Sequence, residues 1–134
     1  MTFLTKSSAQ FVGTWELVSI EVKRINGDWV LGRNHPVGVL MFDDVGNMAV
    51  QITTDPREVD NPGADSEFVH GYIAYYGKYE VDIHARTITH HRLNHINPRL
   101  GQLSVIRSYD FSGDTLTLTV VPDKLSRLNW SRVR

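Results

Sequence analysis

LSVIRSYDFSGDTLTLTVV, residues 103–121, decides the fold class. Two runs rich in β-branched and aromatic residues, 103–111 and 115–121, flank Ser112-Gly113-Asp114, whose composition favours chain reversal. In the first run Leu103, Val105, Arg107, Tyr109 and Phe111 carry more apolar bulk than Ser104, Ile106, Ser108 and Asp110. That is the two-residue period of a strand with one buried face. The same grammar extends in both directions. Downstream, residues 127–133 form a further run. Upstream, 78–82 and 86–94 are strand-like, and 14–25 runs through Asn26-Gly27, a strong hairpin signal, into Trp29-Val30-Leu31. Residues 37–42 turn at Asp43-Asp44-Val45-Gly46-Asn47 and return through 48–53.

Residues 54–65 contain Pro56, Pro62 and Gly63 with Asp55, Glu58, Asp60 and Asp65, which reads as an acidic loop. In 66–75, Phe68, Tyr72 and Tyr75 fall at near-helical spacing behind Asp65 or Ser66 as a cap, predicting one short helix. With His70 it would lie as a lid over the mouth of the fold. The result is an all-β chain of eight to nine antiparallel strands. Closing them into an up-and-down barrel removes both edges and the wet face of an open sheet. A two-sheet sandwich is the alternative.

The 134 residues suit a single domain, 13–134, preceded by an N-terminal arm, 1–12. Fourteen Lys and Arg against 15 Asp and Glu give a net charge of −1, which excludes a broad nucleic-acid footprint. The 41% hydrophobic and 22% charged composition fits neither a disordered nor a membrane-resident chain. No cysteine is present, so disulfides, thiolate nucleophiles and thiolate metal sites are excluded. The first ten residues hold no apolar core of a secretory signal, and no stretch is long enough to span a bilayer. A cytoplasmic protein, monomer or homodimer, is the expectation.

Gly13-Thr14-Trp15-Glu16-Leu17-Val18-Ser19 opens the first strand, and Trp130 and Arg132 lie on the last. With Pro36-Val37-Gly38-Val39-Leu40, Gly71-Tyr72-Ile73-Ala74-Tyr75, Gly77-Lys78-Tyr79-Glu80-Val81, Thr87-Ile88-Thr89-His90-His91 and Asn97-Pro98, the chain resembles the bacterial and fungal lipocalin-like domain family, within the lipocalin and fatty-acid-binding superfamily. The resemblance implies a cup closed at one end by Trp15 stacked on an arginine of the last strand, with Arg132 in that position and Gly13, Trp15 and Arg132 structural. It implies little about activity, because one barrel hosts unrelated functions.

Side-chain alternation assigns the interior. Taking Trp15 as inward puts Leu17, Ser19 and Glu21 inside, and Ile88 brings His90, Arg92 and Asn94 with it. Arg107 and Tyr109 follow on their strand, Tyr79 and Val81 on theirs, and Leu40, Phe42, Met48 and Val50 line the opposite wall. Tyr75 joins them as a ligand contact from the lid. A mostly apolar cup with a narrow polar row suits a small hydrophobic or amphipathic ligand. Arg107 can hold a carboxylate or enolate, or pair with Glu21 instead. His90 is the candidate acid/base, with Arg107 and either Tyr79 or Tyr109 as oxyanion partners, for a cyclase, isomerase or dehydratase of secondary metabolism; the alternative is a histidine bonded within the wall.

Six histidines raise the question of a metal. His90 and His91 project to opposite faces, and His91 to His95 spans about 13 Å of extended strand, so no metal site and no cofactor, haem included, is expected. Neither a phosphate-binding glycine loop nor a nucleophile elbow occurs, so nucleotide and serine-hydrolase chemistry have no support.

Overall fold

Alternating apolar and polar residues fold into nine antiparallel strands in a computed structural model, which describes residues 6–33, 35–54 and 66–134. The first five residues of the arm and the acidic residues 55, 58, 60 and 65 lie outside the described residues. In chain order the strands are β1 (Gly13–Lys23), β2 (Trp29–Leu31), β3 (Val37–Phe42), β4 (Asn47–Thr53), β5 (Tyr72–Asp82), β6 (Thr87–His95), β7 (Ser104–Ser112), β8 (Thr115–Val120) and β9 (Ser126–Arg132). From β3 to β9 each strand pairs with the next. β1 joins the two ends, with Trp15 opposite both Leu40 of β3 and Arg132 of β9. Eight strands thus close an up-and-down barrel, and β2 pairs only with the far end of β1. The closed wall rules out the two-sheet sandwich.

The reversals use the residues that their geometry demands. Gly27, at φ +92°, lets Arg24 and Asp28 close the β1–β2 hairpin. The Asp43 side chain accepts from the N–H groups of Val45 (3.0 Å) and Asn47 (2.7 Å), fixing the β3–β4 turn.

The helix expected over 66–75 does not form. His70 and Gly71 both have positive φ, 51° and 80°, and Val69 and Tyr72 exchange backbone hydrogen bonds across them. This two-residue turn with left-handed central residues leads straight into a strand. From Tyr72 onward the chain joins the β4 ladder, with Thr53 opposite Tyr72 and Val50 opposite Tyr75. The near-helical spacing of the aromatics reflects a turn followed by a strand. The helical pieces among the described residues are elsewhere: α1 (Lys6–Ala9) and a 3₁₀ turn (Pro98–Leu100), whose first free N–H groups are capped by Asn97 accepting from Arg99.

Aromatic side chains plug one end of the barrel. Phe11, carried in just after α1, is fully buried, with ring centroids 5.0 Å from Tyr109, 4.9 Å from Phe111 and 5.6 Å from Phe42. Edge-to-face geometry suits such ring quadrupoles. The Trp15 indole N–H donates to the Phe11 carbonyl (2.9 Å), and the Arg132 guanidinium lies 4.2 Å from the Trp15 ring centroid. Arg132 also donates to the carbonyls of Val12 (2.9 Å) and Gln10 (2.6 Å), tying the arm across the barrel end. Gly13, at φ +137°, leaves room for this: a Cβ there would sit 2.9 Å from Arg132 Nη1.

Candidate functional site

The other half of the barrel encloses a cavity of about 180 Å³. Apolar side chains from around the wall supply most of its surface, among them Ile20, Leu40, Val50, Leu118, Leu128 and Trp130. Its polar groups are Tyr75, His90, Arg92 and Arg107 from β5 to β7, Ser126 at the start of β9, and Glu67 from the segment ahead of β5.

His90 projects inward from β6 and is 2% exposed. Its Nδ1 lies 2.8 Å from the Tyr75 hydroxyl, and its Nε2 has no hydrogen-bond partner. Burial, with the charges of Arg107 and Arg92 next, pushes the imidazole down to about 3, so it is neutral at pH 7. Burial also raises the Tyr75 phenol. Two residues along the same face, the Arg92 side chain is wholly buried. It forms a two-point pair with Glu67, Nη1 to Oε2 at 3.1 Å and Nη2 to Oε1 at 2.5 Å, while its carbon centre lies 4.3 Å from the Tyr75 ring centroid.

His95 completes the cluster. Its Nδ1 accepts from the Asn97 backbone N–H (2.8 Å), so the neutral ring carries its proton on Nε2, which faces Glu67 Oε1 at 3.3 Å. Its ring stacks on Tyr75 at 5.6 Å, and burial holds its pKa below the usual value despite Glu67.

Of the residues assigned to the interior by alternation, Leu40, Val50, Tyr75, His90, Arg92 and Arg107 meet at this cavity. The others do not. A bulge between Leu17 and Ser19 puts Val18 outside, turns Ile20 inward, and leaves Ser19 and Glu21 on the outer face with Arg127 and Asn129. Glu21 therefore pairs with Arg127 (2.9 Å) instead of Arg107, which lowers its pKa. A second bulge between Tyr76 and Gly77 on β5 leaves Leu93 extra on β6. Asn94 is consequently exposed and His95 takes the inward place.

Phe42, Met48, Tyr79 and Tyr109 do point inward, but into the aromatic plug and away from the cavity. Alternation gives the face of a strand and says nothing of depth along the barrel. Tyr79 is committed there: its hydroxyl donates to the Asp43 carbonyl (2.7 Å), and burial with Asp43 and Asp44 pushes its pKa up to about 12. It is therefore no oxyanion partner for His90.

Cavity residues not anticipated include Ile20, Trp130, Leu118 and Glu67. Alternation on β8 and β9, starting from Leu116 and Arg132, would have found Leu118 and Trp130. Glu67 carried no sequence signal, since the segment holding it read as a helix. Among the described residues no group of three or more His, Asp or Glu side chains has metal-ligand geometry; His91 lies outside the wall against Ser104 (2.9 Å).

No curated protein matches the chain. None of the described helices is long and apolar enough to cross a membrane. The plugged end, the open cavity beyond it and the eight-strand closure agree with the lipocalin-like domain, which matches residues 12–133, and the chain belongs to that family.

Proposed function

We propose that the barrel binds one small amphipathic molecule, a single ring or short chain bearing a carboxylate or enolate, with its anionic end toward the guanidiniums of Arg92 and Arg107. An eight-stranded barrel has interior space for one small ligand, and this is the general use of the lipocalin-like fold. The observation that carries the reading is a set of buried polar atoms without partners on cavity-lining side chains, two of them obligate donors. His90 Nε2, Arg92 Nε and Trp130 Nε1 are sealed from bulk water and have no hydrogen-bond partner among the described residues. Arg107 bonds only the Ile106 carbonyl (3.0 Å) and meets no carboxylate among them. Each unsatisfied buried polar group costs about 1–3 kcal/mol, so three on side chains lining one cavity, with Arg92 Nε and Trp130 Nε1 as obligate donors, favour an occupant that carries an acceptor. Size sets the rest. An apolar cavity of about 150 Å³ admits benzene, so 180 Å³ suits one ring with a short acidic arm rather than a long acyl chain.

Calorimetric titration with trans-cinnamate checks this. Wild type should bind one equivalent at pH 7, and Arg107→Gln should weaken binding about 10- to 100-fold, the worth of a charge-assisted hydrogen bond. Equal affinity of the two proteins would remove Arg107 from the site.

The pair formed by Tyr75 and His90 favours a second reading, a cyclase, isomerase or dehydratase using His90 as acid/base. At pH 7 the imidazole is a neutral, weak base, so proton abstraction would depend on a ligand anion raising its pKa. In that case His90→Gln abolishes turnover and spares ligand affinity; in a pure binder it alters affinity alone.

A further inference from the structure

We infer that Glu67 is a built-in substitute for the ligand's carboxylate: it holds Arg92 while the cavity is free, and an anionic ligand replaces it there, releasing residues 66–71 from the mouth. The inference rests on the reading of the cavity as an anion-binding site and adds how that site is gated.

The two members of the ion pair are unequally placed. The Arg92 side chain is fully buried and lines the cavity, whereas Glu67 is 36% exposed. A guanidinium without access to water needs an anion at all times, while a carboxylate at the mouth can return to water. The partner of Arg92 is therefore replaceable on one side only, and the replacement has to come through the cavity. Arg92 Nε remains a donor without a partner even with Glu67 in place, so its hydrogen-bonding capacity is not exhausted. Among the described residues the cavity wall also carries two guanidiniums, Arg92 and Arg107, against the single carboxylate of Glu67, and both raise the local potential felt by His90.

The segment that carries Glu67 is built to come away. It is irregular rather than part of the barrel wall. Its fastenings among the described residues include the ion pair, the His95 contact to Glu67, the Asn97 Nδ2 bond to the Ser66 carbonyl (3.0 Å), the Thr54 N–H bond to the Gly71 carbonyl (3.3 Å), and Phe68, whose ring forms cavity wall beneath the Arg33 guanidinium at 3.8 Å. Loss of the ion pair also removes the His95 contact, since both use Glu67 Oε1. One exchange of carboxylates thus loosens several contacts together, which couples ligand charge to opening.

The test compares trans-cinnamate with its neutral amide, trans-cinnamamide, on wild type and Glu67→Gln by calorimetry. Removal of the competing carboxylate should tighten cinnamate at least tenfold and leave cinnamamide unchanged. In wild type, cinnamate should speed amide hydrogen exchange in residues 66–71 and cinnamamide should not; this arm decides the matter if the variant fails to fold. Equal or weaker cinnamate binding by Glu67→Gln, or slower exchange in 66–71 with cinnamate, overturns the inference. If wild type binds cinnamate and the variant gains nothing, gating falls and the anion site stands. If neither protein binds, both fall.

Discussion

Gly77→Ala should destabilise the barrel by about 3 kcal/mol or more, the upper end for a methyl group added to a packed interior. A Cβ at Gly77 would lie 2.0 Å from the His91 carbonyl oxygen, 2.9 Å from its carbon and 3.0 Å from Arg92 Cα. All three are backbone atoms of β6, so no side-chain rotation can relieve the clash. Domains of this size have only about 5–15 kcal/mol in total, so the melting temperature should fall by roughly 10 °C or more in a calorimetric scan. Gly46 provides the control: a Cβ there meets nothing within 4 Å, and its φ of +95° makes Gly46→Ala costly only through backbone strain. A Gly77→Ala protein melting within about 2 °C of wild type would mean that the β5–β6 bulge is not packed as described. The bulge matters beyond stability, because its register turns His95 rather than Asn94 toward Glu67.

His90→Gln should change how stability depends on pH. The folded pKa of His90 is about 3, against 6.5 when exposed, so between those values the unfolded chain binds a proton that the folded chain does not. The unfolding free energy therefore rises with pH across this window, by about 1.4 kcal/mol per unit, and is lost on acidification. Integrated over the window, the contribution is about 5 kcal/mol. Glutamine cannot titrate, so the stability of wild type relative to His90→Gln should drop by about 3 kcal/mol between pH 7 and pH 4 in urea denaturation. His95, also depressed, acts in the same direction but is common to both proteins and cancels in the difference. Parallel pH curves for the two proteins would show His90 to be hydrated in the folded state.

Strand alternation was legible wherever the ladders run without interruption. His90, Arg92 and Arg107 face the interior because β6 keeps register with β5 from Thr87 to Arg92 and with β7 from Thr87 to His91, with Gly77 opposite Arg92, His90 opposite Val105 and Ile88 opposite Arg107. The reading failed beyond each bulge. Past Val18 every side chain changes face, which sends Ser19 and Glu21 out and brings Ile20 in; Leu93 does the same to Asn94 and His95. Nothing in the sequence around Val18 or Leu93 marks an extra residue, since a bulge is set by pairing with a distant strand. The lid failed for a different reason. His70-Gly71 carries the left-handed turn, and a helical spacing of three aromatics outweighed it. Depth was also invisible: Phe42 and Tyr79 share a face with Leu40 and Tyr75, yet Phe11 from the arm packs beside Phe42 and fills the space around them.

Three tryptophans place reporters in three surroundings. Trp15 donates to the Phe11 carbonyl in the plug, Trp29 lies against Arg127 on the outer face, and Trp130 lines the cavity with its indole N–H unpaired. The most direct measurement is the set of three indole N–H resonances in a ¹H–¹⁵N spectrum during titration with trans-cinnamate at pH 7. The Trp130 signal should move in a saturable manner toward the shift of a hydrogen-bonded indole while those of Trp15 and Trp29 stay in place. A Trp130 signal unmoved at saturating cinnamate, or a titrating Trp29 signal in its stead, would contradict an anion seated in the barrel.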